Sequence, residues 1–529
     1  MTTATEVKKR ANKKQQDCID NILGKYLVLA GPGTGKTFTI IERIKNMLSK
    51  NIQPERILCL TFTDAAAAEM KKRIEEELNV VDCGVQIFTY HGFCCDIIDE
   101  YQEEFEVPSN YKVISDPVSK AFIKECIDEL NPTYFRTEKN DPYFYINTIK
   151  NRIGSIKQNR LTKEQFFQNI KLNKDWEPEK TRLEDKIEEK IKKGKTDFKI
   201  AKGDLESVTK KINQAKELWD FYELYQKKME EARYLDFNDM INLVLDKFET
   251  NTGFLSKIAN RYEYLMVDEY QDTNKSQNEI VFALSKALET QNIFVVGDDD
   301  QIIYRFQGAK LDTIENFLKE FPDTKIICLT ENMRSTQCIL DTARAVIAQD
   351  PLSLVNTHHF TDKDGNQIDK NLIAKNADIQ AKDKPVRFYK YADIMQEYTE
   401  IINEIEELVN SNECPRGKYG EKSLSQIAIL TRSNAEANNF AELLKQRNIP
   451  YELKEGRDIF SIPAVNVLYF YIQFLINPTM HSFRIFQLLT AQPFSINTKD
   501  YQILFNEVSK ERTFIDVLRR GKWDKYVEP

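Results

Sequence analysis

Two short stretches of this chain place residue types in an order that can act on phosphate. Ala30-Gly31-Pro32-Gly33-Thr34-Gly35-Lys36-Thr37 follows directly on the apolar run Tyr26 to Ala30 (YLVLA), and Phe38, Ile41, Ile44 and Met47 then recur at helical spacing. A strand, a glycine-rich turn and a helix in that order make a phosphate-binding loop, here with Ala30 where the commonest form has glycine. Glycines let backbone N–H groups turn inward around an anion, and the helix N-terminus adds partial positive charge. Lys36 then supplies a full charge to β and γ phosphates, and the Thr37 hydroxyl can ligate Mg²⁺. Such a loop needs a metal-positioning carboxylate at the end of a neighbouring strand, and Tyr264 to Val267 (YLMV) runs at once into Asp268-Glu269. Asp268 would orient Mg²⁺, and Glu269 would polarise the attacking water as a general base.

Those residues need a sheet to hold them. Tyr26 to Ala30, Arg56 to Leu60, Gln86 to Tyr90, Tyr264 to Val267, Ile293 to Val296 and Lys325 to Leu329 are short apolar segments alternating with helical patterns, which predicts an α/β fold with a mainly parallel sheet. A mostly helical, charged stretch from about Asp96 to Leu235 interrupts the alternation and reads as an insertion into the sheet domain. Within it the basic run Lys180 to Ile212 reads as a solvated helix face before a DNA contact. A second alternation begins after about Ser335, with strands expected near Val386 to Lys390 and Gln426 to Leu430. Asp350 to Asp383 is polar and patternless, the signature of a long loop or local insertion.

Composition sets outer bounds. At 529 residues the chain exceeds one compact core, and its net charge of −8 argues against a DNA-coating protein while leaving room for a narrow positive track. The nine cysteines are scattered without a C-x-x-C pair, which favours reduced thiols over a zinc or iron–sulfur site. No apolar run approaches membrane-spanning length and the N-terminus has no signal-peptide core, so no membrane association and a cytoplasmic location are expected.

The chain resembles superfamily 1 DNA helicases of the UvrD/Rep type. The resemblance rests on ordered blocks: ANKKQ (Ala11 to Gln15), AGPGTGKT, TFTDAAAAEMKKRI (Thr61 to Ile74), FTYHGF (Phe88 to Phe93), LDFNDM (Leu235 to Met240), VDEYQDTN (Val267 to Asn274), VVGDDDQIIYRFQGA (Val295 to Ala309) and LTENMRS (Leu329 to Ser335). It implies ATP and Mg²⁺ as substrate and cofactor, with Gln15 reading the adenine, Gln301 sensing the γ-phosphate and Arg334 reaching the same phosphate as an arginine finger. Guanidinium chemistry agrees, because it pairs bidentately with phosphoryl oxygens. Phe62, Tyr304 and Phe306 stand just beyond strand ends, where exposed rings can stack on bases with little sequence preference. Thr89 and His91 resemble the family's block that contacts the DNA backbone. Three positions depart from the family pattern: Met333 replaces a tyrosine against the adenine, Gln307 replaces an arginine, and Asp64-Ala65 replaces Asn-Lys.

The resemblance implies a RecA-like P-loop NTPase sheet with a large helical insertion and a partial second RecA-like domain. Residues 1–95 and 236–335 would form the first RecA-like domain, 96–235 the helical insertion, 336–459 part of the second RecA-like domain, and 460–529 the start of a helical accessory domain. The expected function is ATP-driven 3′ to 5′ movement on single-stranded DNA with unwinding of duplexes that carry a 3′ single-stranded tail, in repair or recombination. Two rivals are a DNA-dependent ATPase that translocates without unwinding and a non-catalytic nucleotide-binding subunit of a repair complex. The two later helicase motifs find no match before Pro529, so the 529-residue chain reads as a fragment or truncated paralogue that binds ATP and single strands yet unwinds poorly alone.

Overall fold

The computed structural model describes residues 11–476 apart from 106, 108–109, 136–142, 173–179, 182–183, 186, 189–198, 303–312, 350–360, 362–364, 366, 412–422 and 454–462. Six strands, β1 (Lys25–Ala30), β2 (Ile57–Thr61), β3 (Gln86–Thr89), β6 (Tyr264–Val267), β7 (Asn292–Gly297) and β8 (Lys325–Leu329), form one sheet in the order β3-β2-β6-β7-β1-β8. Every pairing in it is parallel. Each matches an apolar run predicted above to within about a residue.

Parallel strands covered on both faces are apolar throughout, and alternate side chains enter opposite cores. Leu27 and Leu29 of β1 join Leu58, Leu60, Leu265 and Val267 in one cluster, while Tyr26, Val28 and Ala30 join Ile57, Cys59 and Met266 in the other. Helices α1 (Lys13–Asp20), α2 (Lys36–Ser49), α3 (Asp64–Leu78) and α4 (Tyr90–Glu100) occur in the first stretch of this sheet, each beside or between its strands in sequence. Because all six strands point the same way, their carboxyl ends share one edge, the edge at which ligands bind in open α/β sheets.

Between Asp116 and Glu231 most of the described residues are helical and bury a core of their own, built from Ile123, Cys126, Ile127, Ile149, Ile153, Trp219, Phe221 and Tyr225. The chain leaves and returns at one place, because β4 (Lys112–Val113) pairs with β5 (Tyr234–Leu235). Lys157 of the helical layer is fully buried and places its ammonium 2.6 Å from Asp236 and 2.8 Å from Asp239, at the start of the helix Phe237–Thr250 that returns to the sheet. A buried lysine is tolerable only when paired in this way.

The strands expected near Val386 to Lys390 and Gln426 to Leu430 do not form. A strand needs a neighbour to take up its N–H and C=O groups, and neither stretch has one among the described residues. Phe388 and Leu430 face outward instead, 85% and 94% exposed, while Ile429 packs beside Tyr398 and Phe440 without a strand partner. Conversely, the polar stretch Asp350 to Asp383 is not featureless: β10 (Ile373–Ala374) pairs in parallel with β9 (Glu331–Asn332). Residues 1–386 and 387–529 form two separate compact units. In the second, the helices Ile394–Asn410 and Asn434–Gln446 pack through Tyr398, Ile402, Phe440 and Leu444. No helix among the described residues is long and apolar enough to cross a membrane.

Candidate nucleotide and single-strand site

The loop between β1 and α2 takes its shape from two glycines in the left-handed region, Gly33 at φ +73° and Gly35 at φ +85°. Either position would also be crowded by a side chain. A Cβ on Gly33 would lie 2.6 Å from Asn332 Nδ2 and 2.7 Å from Arg334 Cβ, and one on Gly35 would lie 2.7 Å from Gln15 Nε2. The Thr34 hydroxyl donates to the Gly31 carbonyl at 2.7 Å and pins the turn from inside. Lys36 and Thr37 then open α2, where free N–H groups face any bound anion.

Gln15 reaches this loop from α1. Its backbone N–H donates to the Asn12 side chain at 2.8 Å, its side-chain oxygen accepts from the Asn12 N–H at 2.9 Å, and its Nε2 donates to the Thr34 carbonyl at 2.9 Å. A reciprocal capping box thus fixes the very side chain that the resemblance assigns to the adenine.

The acidic half of the site comes from the end of β6. Asp268 is buried, and burial together with Glu269 pushes its pKa up to about 7 against the opposing pull of Lys36 and the Glu269 N–H. Glu269 sits at φ +48°, a left-handed conformation that costs a non-glycine residue about 1–2 kcal/mol. Its carboxylate meets the Lys36 ammonium at 2.7 Å. Gln271, which sequence reasoning did not single out, donates to Glu269 at 2.8 Å and accepts from the Asp298 N–H at 2.9 Å, so it ties the ends of β6 and β7 together. Burial followed by Glu269 also raises Asp272, to about 6.

Beyond β7, Gln301 closes a short turn and donates to Asp298 at 2.7 Å. Beyond β8, the Arg334 backbone lies against the phosphate loop: the Met333 N–H donates to the Gly33 carbonyl at 2.9 Å. Asn332, also absent from the sequence-based set, organises this contact. It is fully buried, donates to the Pro32 carbonyl at 2.5 Å, and accepts from the Arg334 and Ser335 N–H groups at 2.8 and 2.7 Å. Met333 is exposed beside it. The structure therefore brings the segments bearing Gln15, Lys36, Thr37, Asp268, Glu269, Gln301 and Arg334 to one sheet edge.

Of the residues expected to meet DNA, the described ones follow the other strands at the same edge. Phe62 comes directly after β2 and is half-buried. Thr89 ends β3 and caps α4, its hydroxyl oxygen accepting from the Gly92 N–H at 3.1 Å, which leaves its own proton to donate. His91 packs in a tilted ring contact, 5.1 Å between centroids, against Phe237, a ring 54% exposed, and burial lowers the imidazole pKa despite Asp64 and Asp236. Tyr304, Phe306 and Gln307 lie outside the described residues.

Residues 11–322 match the UvrD/REP helicase N-terminal domain, and residues 327–527 match the UvrD-like helicase C-terminal domain. The chain is 28% identical over 469 residues to the ATP-dependent DNA helicase PcrA of Leuconostoc citreum, covering 88% of this chain and 53% of that protein. Its similarity to the PcrA of Bacillus subtilis is 28% over 479 residues, with 88% and 53% covered, and to that of Staphylococcus epidermidis 27% over 470 residues, with 89% and 54% covered. The chain thus spans about half the length of the curated relatives it matches. With the phosphate loop, the Asp-Glu pair and the arginine segment meeting at the carboxyl edge of a parallel sheet, and with a family match over residues 11–322, this chain belongs to the UvrD/Rep helicase family.

Proposed function

We propose that this chain binds and hydrolyses ATP and uses the cycle to move 3′ to 5′ along single-stranded DNA, separating duplexes that carry a 3′ single-stranded tail, in DNA repair or recombination. The observation that carries the reading is the meeting of Lys36, Glu269 and the Arg334 segment around one loop whose glycines leave room for an anion. Mg²⁺, held by Thr37 and Asp268, would neutralise phosphate charge when bound. The residues present fit it: a buried carboxylate whose pKa is raised to about 7 gains from a cation that compensates its charge.

In this reading Lys36 binds the β and γ phosphates, and phosphate oxygens compete with Glu269 for the same ammonium. Glu269 then accepts the proton of the attacking water. Gln271 keeps its carboxylate oriented from the side of β7. Gln301 and Arg334 face the terminal phosphate, and an arginine so placed is worth about 10³ to 10⁵ in rate. Phe62, Thr89, His91, Tyr304 and Phe306 would grip the strand, rings by stacking and polar groups through the backbone. Residues 1–95 and 236–335 would act as the ATPase domain, 96–235 as its insertion, and 336–459 with 460–529 as part of the second RecA-like domain and its accessory insert. The chain would work in the cytoplasm.

The test is ATP turnover with and without single-stranded DNA, followed by strand displacement on duplexes with 3′ or 5′ tails. Turnover stimulated by single strands and displacement from the 3′ tail are expected. Turnover indifferent to DNA would remove the motor reading, and stimulated turnover without displacement would favour a translocase.

A further inference from the structure

The turn that carries Gln301 contains three consecutive carboxylates, Asp298, Asp299 and Asp300, whose oxygens lie within 4.8 Å of one another. A lysine fills the space between them. Lys370 is 8% exposed, and its ammonium lies 3.0 Å from Asp298, 2.5 Å from Asp299 and 2.7 Å from Asp300. Burial alone would lower its pKa, but the three carboxylates outweigh that effect and hold it above the ordinary lysine value. Asp298, one of the three, is also the acceptor for Gln301 Nε2 at 2.7 Å. A short chain of contacts therefore runs from Lys370 through Asp298 to Gln301.

The segment bearing Lys370 continues across the rest of the site. Leu372 packs on the phosphate loop, close enough that a Cβ on Gly31 would lie 2.9 Å from its side chain. The Ile373 N–H donates to the Thr330 carbonyl and the Lys375 N–H to the Asn332 carbonyl, both at 2.8 Å. Asn376 Nδ2 donates to the Met333 carbonyl at 3.2 Å. Residues 370–376 thus touch the Gln301 turn, the phosphate loop and the Arg334 segment in succession.

We propose that Lys370 is a positioning residue for phosphate sensing: by gathering Asp298, Asp299 and Asp300 it holds Gln301 toward the terminal phosphate, and its strap ties that arm to the phosphate loop and Arg334. Three carboxylates beside a polyanion would otherwise repel it and one another, so the turn needs an internal cation to keep this shape. Lysine suits the task as a compact point charge, its ammonium donating to Asp299 and Asp300 while pairing with Asp298 by charge. This inference rests on the nucleotide reading above.

The test is a set of four full-length chains: parent, Lys370→Met, Gln301→Ala and the double variant. Each is titrated with a fluorescent ADP and with a non-hydrolysable ATP analogue, after circular dichroism has established folding. The parent should prefer the triphosphate, and Lys370→Met should lose about tenfold or more of that preference while ADP affinity stays within about twofold. The double variant should match Gln301→Ala, because a residue acting through another adds nothing once its target is gone. Unchanged preference in folded Lys370→Met, equal weakening of both nucleotides, or additive losses in the double variant each overturn the proposal. Should Lys370→Met fail to fold, Lys370→Arg takes its place under the same outcomes, since a planar guanidinium cannot meet three carboxylates at one point. A parent that binds neither nucleotide, or binds both alike, overturns the underlying reading of the site instead, and Lys36→Ala, expected to lose both, checks that binding occurs there.

Discussion

Replacing Asp268 by asparagine separates what this carboxylate costs the fold from what it gives the site. Its pKa moves from 3.8 to about 7, chiefly through burial and then through Glu269. A folded-state value above the unfolded one favours the folded protein at low pH; that contribution is complete below about pH 4 and is lost as pH rises toward 7. At about 1.4 kcal/mol per pH unit, the displacement amounts to about 4 kcal/mol against the folded state above pH 7. Asparagine keeps an oxygen to accept the Glu269 N–H, 2.9 Å away in the parent, but brings no charge to desolvate. In chelator at about pH 8, Asp268→Asn should therefore unfold at higher urea than the parent, with an advantage of up to about 4 kcal/mol that shrinks steadily toward pH 5. The same variant should lose Mg²⁺-dependent ATP hydrolysis, because the neutral amide is a poor magnesium ligand. Equal stability of the two chains at about pH 8, or an advantage of the same size at both pH values, would refute the burial argument.

Three further outcomes follow from the site. Glu269→Gln should retain ATP binding in a fluorescent-nucleotide titration and lose most turnover, since an amide cannot take the water's proton; turnover equal to the parent rejects its role as base. Asn332→Ala leaves the Arg334 and Ser335 N–H groups without their acceptor, at about 1–3 kcal/mol each. Its turnover should drop while ADP affinity changes little, and parent-level turnover would show that the Arg334 segment is held by other means. Tyr304→Ala and Phe306→Ala should each weaken binding to poly-dT by about 1–3 kcal/mol, with a salt dependence like the parent's; dissociation constants unchanged in both would assign the rings to packing.

Why some of this was legible in the residues and some was not has a physical answer. The inner strands stand out most because a parallel strand buried on both faces is apolar nearly throughout, as in Tyr26 to Ala30 and Tyr264 to Val267. Chemistry then sits where each run stops, so Asp268 and Glu269 announce themselves by following Val267 directly. The same rule misfires at Val386 to Lys390, since an apolar run shows what could be buried but not whether a neighbouring strand stands ready to bury it. Asn332, Gln271 and Lys370 escape for the opposite reason. Each is a polar residue whose meaning lies in its partners, and those are distant in sequence: Asn332 meets Pro32 across 300 positions, and Lys370 meets Asp299 across 71. Nothing in the local pattern around Lys370 distinguishes it from an exposed loop lysine, since its immediate neighbours Asp369 and Asn371 are polar. Burial changes that status, because an ammonium out of water must find compensating charge, and the turn that offers it three carboxylates also carries Gln301. The cost of burying polar groups therefore marks the joints of this site, where segments far apart in the chain must be held in register for a phosphate to be felt by all of them at once.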